Sequence, residues 1–185
     1  MTVSRSISKI AMLVVCLGCF LTLQLTTTVI AQDIPVCKED EVLAQLDFWI
    51  GDWIVYDAED NQVGTNTIAR IMNSCVIQEI WQGSEGGLGM SIFYKSPISG
   101  KLKQLWVTDV ALGVGGTKEK ESYFVEVGEQ IVFRGRYPYQ GGQIIDRTTL
   151  TRESENQVRQ FMEISTDSGV SWQPLFLGIY KRKEI

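Results

Sequence analysis

The sequence contains no histidine, and that absence excludes Ser-His-Asp and Cys-His nucleophilic sites, His-ligated zinc and His-ligated haem. Proline is scarce, four residues against seventeen glycines, which suits extended segments joined by tight turns. Cysteine is scarce as well, and residues 32–185 hold only Cys37 and Cys75 with no C-x-x-C pair, so neither a redox dithiol nor a thiolate metal site is indicated. Positive charge is in deficit. The chain carries a net −5, and because its first 31 residues hold Arg5 and Lys9 and no acid, residues 32–185 carry −7. A charge of that sign argues against nucleic acid or anionic membrane as a partner. Hydrophobic residues at 44% and charged ones at 21% fit an ordinary globular chain rather than a disordered, collagen-like or coiled-coil one.

What is present begins with an export signal. Residues 1–9 bear only positive charge, Ile10 to Ile30 form an apolar stretch diluted by threonines, and Val29-Ile30-Ala31 has the form of a small-residue cleavage site. Cleavage after Ala31 is the first reading and predicts a secreted or periplasmic protein. The alternative is an uncleaved anchor, since about 20 apolar residues can span a bilayer, and a membrane is a partner only in that case. Cys19 follows Leu17 and Gly18, a poor match to a lipid-attachment box. Residues 32–185 are then one domain with a sizeable core. In an oxidising compartment Cys37 and Cys75 are candidates for a disulfide that pins a fraying terminus, or else two separate buried thiols.

Glu39 to Phe48 reads as a short helix, with Val42, Leu43, Leu46 and Phe48 apolar and acids gathered at its start. Beyond it the pattern changes to short runs rich in Val, Ile, Thr and aromatics: 52–57, 63–72, 75–82, 88–95, 101–109, 121–127, 130–138, 143–151, 157–165 and 175–182. Turn clusters such as Ala58 to Asn61, Gly113 to Gly116 and Asp167-Ser168-Gly169 separate them. Ten strands joined in order by short turns predict an all-β, antiparallel, up-and-down barrel whose closure removes exposed edges; a β-sandwich is the second architecture.

Alternation assigns faces. Lys101 and Lys103 must meet solvent, so Leu102, Gln104, Trp106 and Thr108 point inward. In 75–81 the presence of Trp81 places Glu79 on the inner face, and in 143–149 the set Gln143, Ile145, Arg147, Thr149 brings Arg147 inward. An interior acid and base would neutralise each other, as buried charges require.

The strings Phe48-Trp49-Ile50-Gly51-Asp52-Trp53, Asn73-Ser74-Cys75-Val76-Ile77-Gln78-Glu79-Ile80-Trp81, Gly89-Met90-Ser91, Gly100 to Val107, Val158-Arg159-Gln160 and Ser165 to Trp172 resemble a family of exported, mostly bacterial proteins of unknown function with a lipocalin-like barrel. The similarity runs over nearly all of residues 32–185. It implies the barrel and not an activity, and it implies a Cys37–Cys75 bridge, since a cysteine before the helix and one before the Gln-Glu strand recur together in that family. Members often carry an acid directly after the Trp-Val pair; here Thr108 stands there and Asp109 follows, so no role passes to that acid. The Gly-x-Trp at residues 51–53 also resembles haem-binding barrels of the nitrobindin kind, which need the histidine this chain lacks. Ser165 to Trp172 has the form of an Asp-box, which here specifies a hairpin, since one copy cannot make a propeller.

Three functional readings follow. The first is a non-catalytic barrel that binds a small hydrophobic molecule among Trp81 and Trp106, with Tyr137 and Phe161 as further candidate walls, and Glu79, Gln104 and Arg147 as orienting polar groups. The second is a barrel filled by its own side chains, with a structural or interaction role. The third is a hydrolase or isomerase using Glu79 as general acid or base, with Glu163 or Asp146 as the second carboxylate. No metal or organic cofactor is indicated by any cluster, and the sequence does not fix an oligomeric state.

Overall fold

The computed structural model describes residues 37–109 and 116–184; the expected signal and most of the 113–116 glycine cluster lie outside the described residues. Ten strands run β1 (Gly51–Tyr56), β2 (Gln62–Ile71), β3 (Val76–Gly83), β4 (Leu88–Lys95), β5 (Leu102–Thr108), β6 (Thr117–Glu126), β7 (Gln130–Tyr139), β8 (Gly142–Ser154), β9 (Gln157–Ser165) and β10 (Gln173–Arg182). Each pairs antiparallel with its neighbours in sequence, and β1 with β10 closes the barrel. The expected meander is thus the architecture, with the strands close to where the turn residues bounded them.

The two largest departures from the expected boundaries have physical reasons. Strand β6 begins at Thr117, four residues before the expected start, because Thr117 to Glu121 pair with Val107 to Lys103 of β5. The expected helix over 39–48 is instead a 3₁₀ turn (Cys37–Glu39), a four-residue helix α1 (Glu41–Ala44) and a second 3₁₀ turn (Asp47–Trp49). The buried residues Leu43, Leu46 and Trp49 recur every three positions, the period of a 3₁₀ rather than an α-helix. Trp49, not Phe48, supplies the last anchor.

This segment plugs one end of the barrel. Asp40 caps α1 by accepting from the Val42 and Leu43 amides at 2.9 and 3.3 Å, and Lys95 of β4 binds the same carboxylate at 2.8 Å. Cys37 and Cys75 form a disulfide that ties the segment to the start of β3. Beneath it the Trp49 ring meets Phe93 and Tyr180 edge-on at 5.7 and 5.9 Å, and Trp53 meets Tyr180 at 6.4 Å, an arrangement that suits aromatic quadrupoles. The Trp53 indole donates to the Trp49 carbonyl at 2.9 Å. Leu43, Leu46, Val55, Ile68, Ile77, Leu102, Phe133, Leu150 and Val158 complete a core confined to this half. The opposite end is where β3 meets β4, β7 meets β8 and β9 meets β10; it is the mouth.

Candidate functional site

Above that core the barrel opens into a cavity of about 550 Å³. Its depth follows from strand register. On β5, Leu102 belongs to the closed core, Gln104 to the next layer, Trp106 to the one above and Thr108 to the mouth; Lys120 and Lys118 of β6 stand opposite Gln104 and Trp106. The upper walls are apolar: Trp81, Trp106, Ile144, Met162, Ile164 and Phe176. The floor, between these walls and the core, is polar.

Glycines make room for the two indoles. A Cβ on Gly64 of β2 would lie 2.6 Å from the Trp81 ring, and one on Gly89 of β4 would collide with the Trp106 ring. Each indole therefore lies flat across a strand position that only glycine can occupy without displacing it. Next to the mouth a β-bulge between Pro174 and Phe176 inserts Leu175, so that two successive residues, Leu175 and Phe176, both line the cavity. Re-aiming a side chain in this way is what a bulge accomplishes at a barrel rim.

One side of the floor is a hydrogen-bond chain around Glu79. Its carboxylate accepts from Asn66 Nδ2 at 2.8 Å and from the Ser91 hydroxyl at 2.6 Å. Gln104 Nε2 donates to Ser91 Oγ at 3.0 Å, and the Tyr180 hydroxyl donates to Gln160 at 2.6 Å. Burial pushes the Glu79 pKa up, opposed in part by the hydrogen bonds from Ser91 and Asn66 and by Lys120. Burial, with Glu79 nearby, pushes Tyr180 well up too. Two carbonyl oxygens in this group, Asn66 Oδ1 and Gln104 Oε1, are buried without a hydrogen-bond partner.

The other side of the floor is ionic. Asp146 of β8, fully buried, takes Lys118 Nζ on one oxygen and Lys120 Nζ on the other. Lys120 also donates to Thr148 at 2.6 Å. Burial works against the Asp146 charge, yet Lys120 and Lys118 together hold its pKa below the usual carboxylate value. Burial pulls Lys120 down, with Asp146 opposing. Both lysines line the cavity whereas Asp146 does not: the carboxylate stands behind the ammonium groups and presents them to the interior.

Of the residues singled out from sequence, Glu79, Trp81, Gln104 and Trp106 come together on this cavity. Arg147 does not. Strand β8 turns Ile144, Asp146 and Thr148 inward, so Arg147 faces out, where it pairs with Glu163 at 2.7 Å and stacks 3.7 Å from the Trp172 ring centre. The expected inward set was displaced by one residue, the slip that exchanges every side chain between faces. Glu163, held in that outer pair, is not across the cavity from Glu79, and Asp146, though interior, is engaged by both lysines. Phe161, opposite Thr149 on β8, is outside the lining, which β9 supplies through Gln160, Met162 and Ile164. Tyr137 is buried, with its hydroxyl donating to the Glu119 carbonyl, and lies outside the lining.

Sequence reasoning missed Lys118 and Lys120. Alternating Lys and Glu over 118–121 reads as solvated surface; the usable signal was that Lys118, Lys120 and Ser122 continue the period opposite Glu119 and Glu121. The Asp-box hairpin is structural as expected: Asp167 accepts from the Ser171 amide and hydroxyl, and the Trp172 indole donates to the Gly169 carbonyl at 3.2 Å. Among the described residues no group of three or more Cys, Asp or Glu is arranged to hold a metal.

Compared with known families and with curated proteins, the sequence matches none. Among solved structures it is similar to EF1p2_mFAP2b bound to DFHBI, with 13% identity and a TM-score of 0.33 over 77% of this chain and 99% of that one, a likeness too distant to carry a function across.

Proposed function

We propose that the protein is an exported binding module that takes a small amphipathic molecule into the mouth half of its barrel, with the apolar body against Trp81, Trp106, Met162 and Phe176 and the polar end on the floor. The observation that supports this reading is the cavity itself: about 550 Å³ within the range of small-molecule sites, with apolar walls and a few convergent polar groups. A barrel filled by its own side chains would leave no such space. Glu79 and Gln104 sit where core economy alone would place Leu or Ile. The Cys37–Cys75 disulfide is in keeping with export to an oxidising compartment, as is the resemblance to exported barrels.

The test is titration with N-phenyl-1-naphthylamine, a neutral apolar fluorophore, of the wild type and of Met162→Trp, which fills the cavity from its wall. Saturable binding at one site in the wild type, lost in the variant, is the expected result. Absence of binding, or equal binding by the variant, would overturn the reading.

A further inference from the structure

We propose that the floor selects an anionic head group, so that the ligand is an amphipathic acid whose carboxylate, or an equivalent oxyanion, is held by Lys118 and Lys120. This rests on the reading of the cavity as a binding site and goes beyond it in naming the chemistry of the ligand's polar end.

Donors on the two lysines remain unused, and both lysines hydrogen-bond a single carboxylate. An ammonium group has three N–H donors. Lys118 uses one, on Asp146, and Lys120 uses two, on Asp146 and Thr148. The remaining N–H groups belong to side chains that line the cavity while their shared counter-ion lies behind them. Two cations thus share one carboxylate. The other interior acid, Glu79, also lines the cavity and attracts Lys120, but it hydrogen-bonds neither lysine: its oxygens accept from Asn66 and from Ser91, and burial raises its pKa. Burial lowers the Lys120 pKa, with Asp146 opposing; an anion against it would stabilise the charged form and be stabilised in return.

A cationic head group would meet the two lysines with the same sign of charge, and the carboxylate on the lining, Glu79, already holds Asn66 and Ser91. A neutral chain would leave the lysine donors unmet in a water-poor interior, where unpaired donors are costly. Gln104 lines the cavity one layer from Trp106, and its Oε1 has no hydrogen-bond partner. The geometry therefore sorts the floor into a cationic side on β6 and a neutral polar side on β3 and β5, with the apolar walls rising above both toward the mouth. A ligand that enters head-first meets the lysines with its head and the walls with its body.

The experiment is competition against bound N-phenyl-1-naphthylamine by decanoate, decanol and decyltrimethylammonium at pH 7. It compares the wild type, Lys118→Met, which leaves the Lys120–Asp146 pair intact, and the triple variant Lys118→Met/Lys120→Met/Asp146→Asn, which removes all three charges together and strands none. Net gain of one charge-assisted hydrogen bond is worth about tenfold in affinity, so decanoate is expected to bind about tenfold or more tightly than decanol in the wild type. The ratio of decanoate to decanol affinity is expected to fall in Lys118→Met and to reach about one in the triple variant. Equal affinity for acid and alcohol, tightest binding of the ammonium compound, or a decanoate preference that survives in the triple variant would overturn the anionic head group and leave the cavity reading standing. Failure of the fluorophore and of all three compounds to bind would overturn both.

Discussion

Asp146→Asn isolates the ionic half of the floor. Asp146 is fully buried, and the lysines on either side of it keep only 8% and 3% of their side-chain surface exposed. The amide removes the charge while keeping the shape, so two ammonium groups remain in the interior without the carboxylate that pairs them, and only Glu79, which hydrogen-bonds neither, attracts Lys120. Breaking a buried ion pair in this way costs about 3–5 kcal/mol. The expected loss at pH 7 is therefore in that range. An upper bound comes from the lysines themselves, because a stranded ammonium can release its proton: at pH 7, from an ordinary pKa of about 10.4, the discharge costs about 4.6 kcal/mol for each lysine, about 9 kcal/mol for both. At pH 9.5 the same discharge costs about 1.2 kcal/mol each, about 2.4 kcal/mol for both, so the deficit should shrink. The sign follows from proton counting. In the variant the folded-state lysine pKa is depressed, the unfolded chain binds more protons between the two pKa values, and stability relative to the wild type rises with pH across that window. Urea unfolding followed by tryptophan emission at pH 7 and pH 9.5, variant against wild type, reads both quantities. A deficit below about 1 kcal/mol at pH 7, or one that does not shrink at pH 9.5, would refute the assignment of Asp146 as the shared counter-ion.

Three further outcomes are expected. Replacing Cys37 and Cys75 by serine opens a loop with a sequence separation of 38 and should cost about 4 kcal/mol by the chain-entropy relation, measured as a lowered urea midpoint that added reductant does not lower further. Glu79→Gln keeps the bond from Asn66 and removes a buried group whose folded-state pKa is raised; the wild type should lose stability as pH climbs from the usual glutamate value of about 4.5 through the folded one, and the variant should not, which unfolding curves from pH 4 to 8 will resolve. Gly89→Ala places a methyl group against the Trp106 ring, so it should shift tryptophan emission and weaken N-phenyl-1-naphthylamine binding by about tenfold; unchanged emission and affinity would remove Trp106 from the wall.

Strand order and most boundaries were legible because each run is short, alternates, and ends at residues that tolerate a turn; an antiparallel meander then has little freedom. Gln104 and Trp106 were placed correctly because Lys101 and Lys103 fix the outer face of β5, and Glu79 because Trp81 fixes the inner face of β3. The same reasoning failed on β8, where Asp146 and Arg147 are adjacent charges and either can be the interior one. The decision is made by Glu163 and Trp172 on the outside and by Lys118 and Lys120 on the inside, all distant in sequence. For Lys118 and Lys120 alternation gives the period but not which face is the inner one. A buried lysine is identified by its partner, and Asp146 lies 28 and 26 residues away from them. The segmentation of 37–49 was hidden because Val42 and Leu43 satisfy a helical pattern that the three-residue spacing of Leu43, Leu46 and Trp49 overrides once the barrel end must be filled.

Whether the mouth half of the barrel holds a small molecule is read by native mass spectrometry of the protein, first as isolated from its native host and then with excess decanoate. A one-to-one non-covalent adduct that disappears on denaturation, either retained from the host or formed with decanoate, is the expected result. The bare mass under both conditions would overturn the binding-module reading.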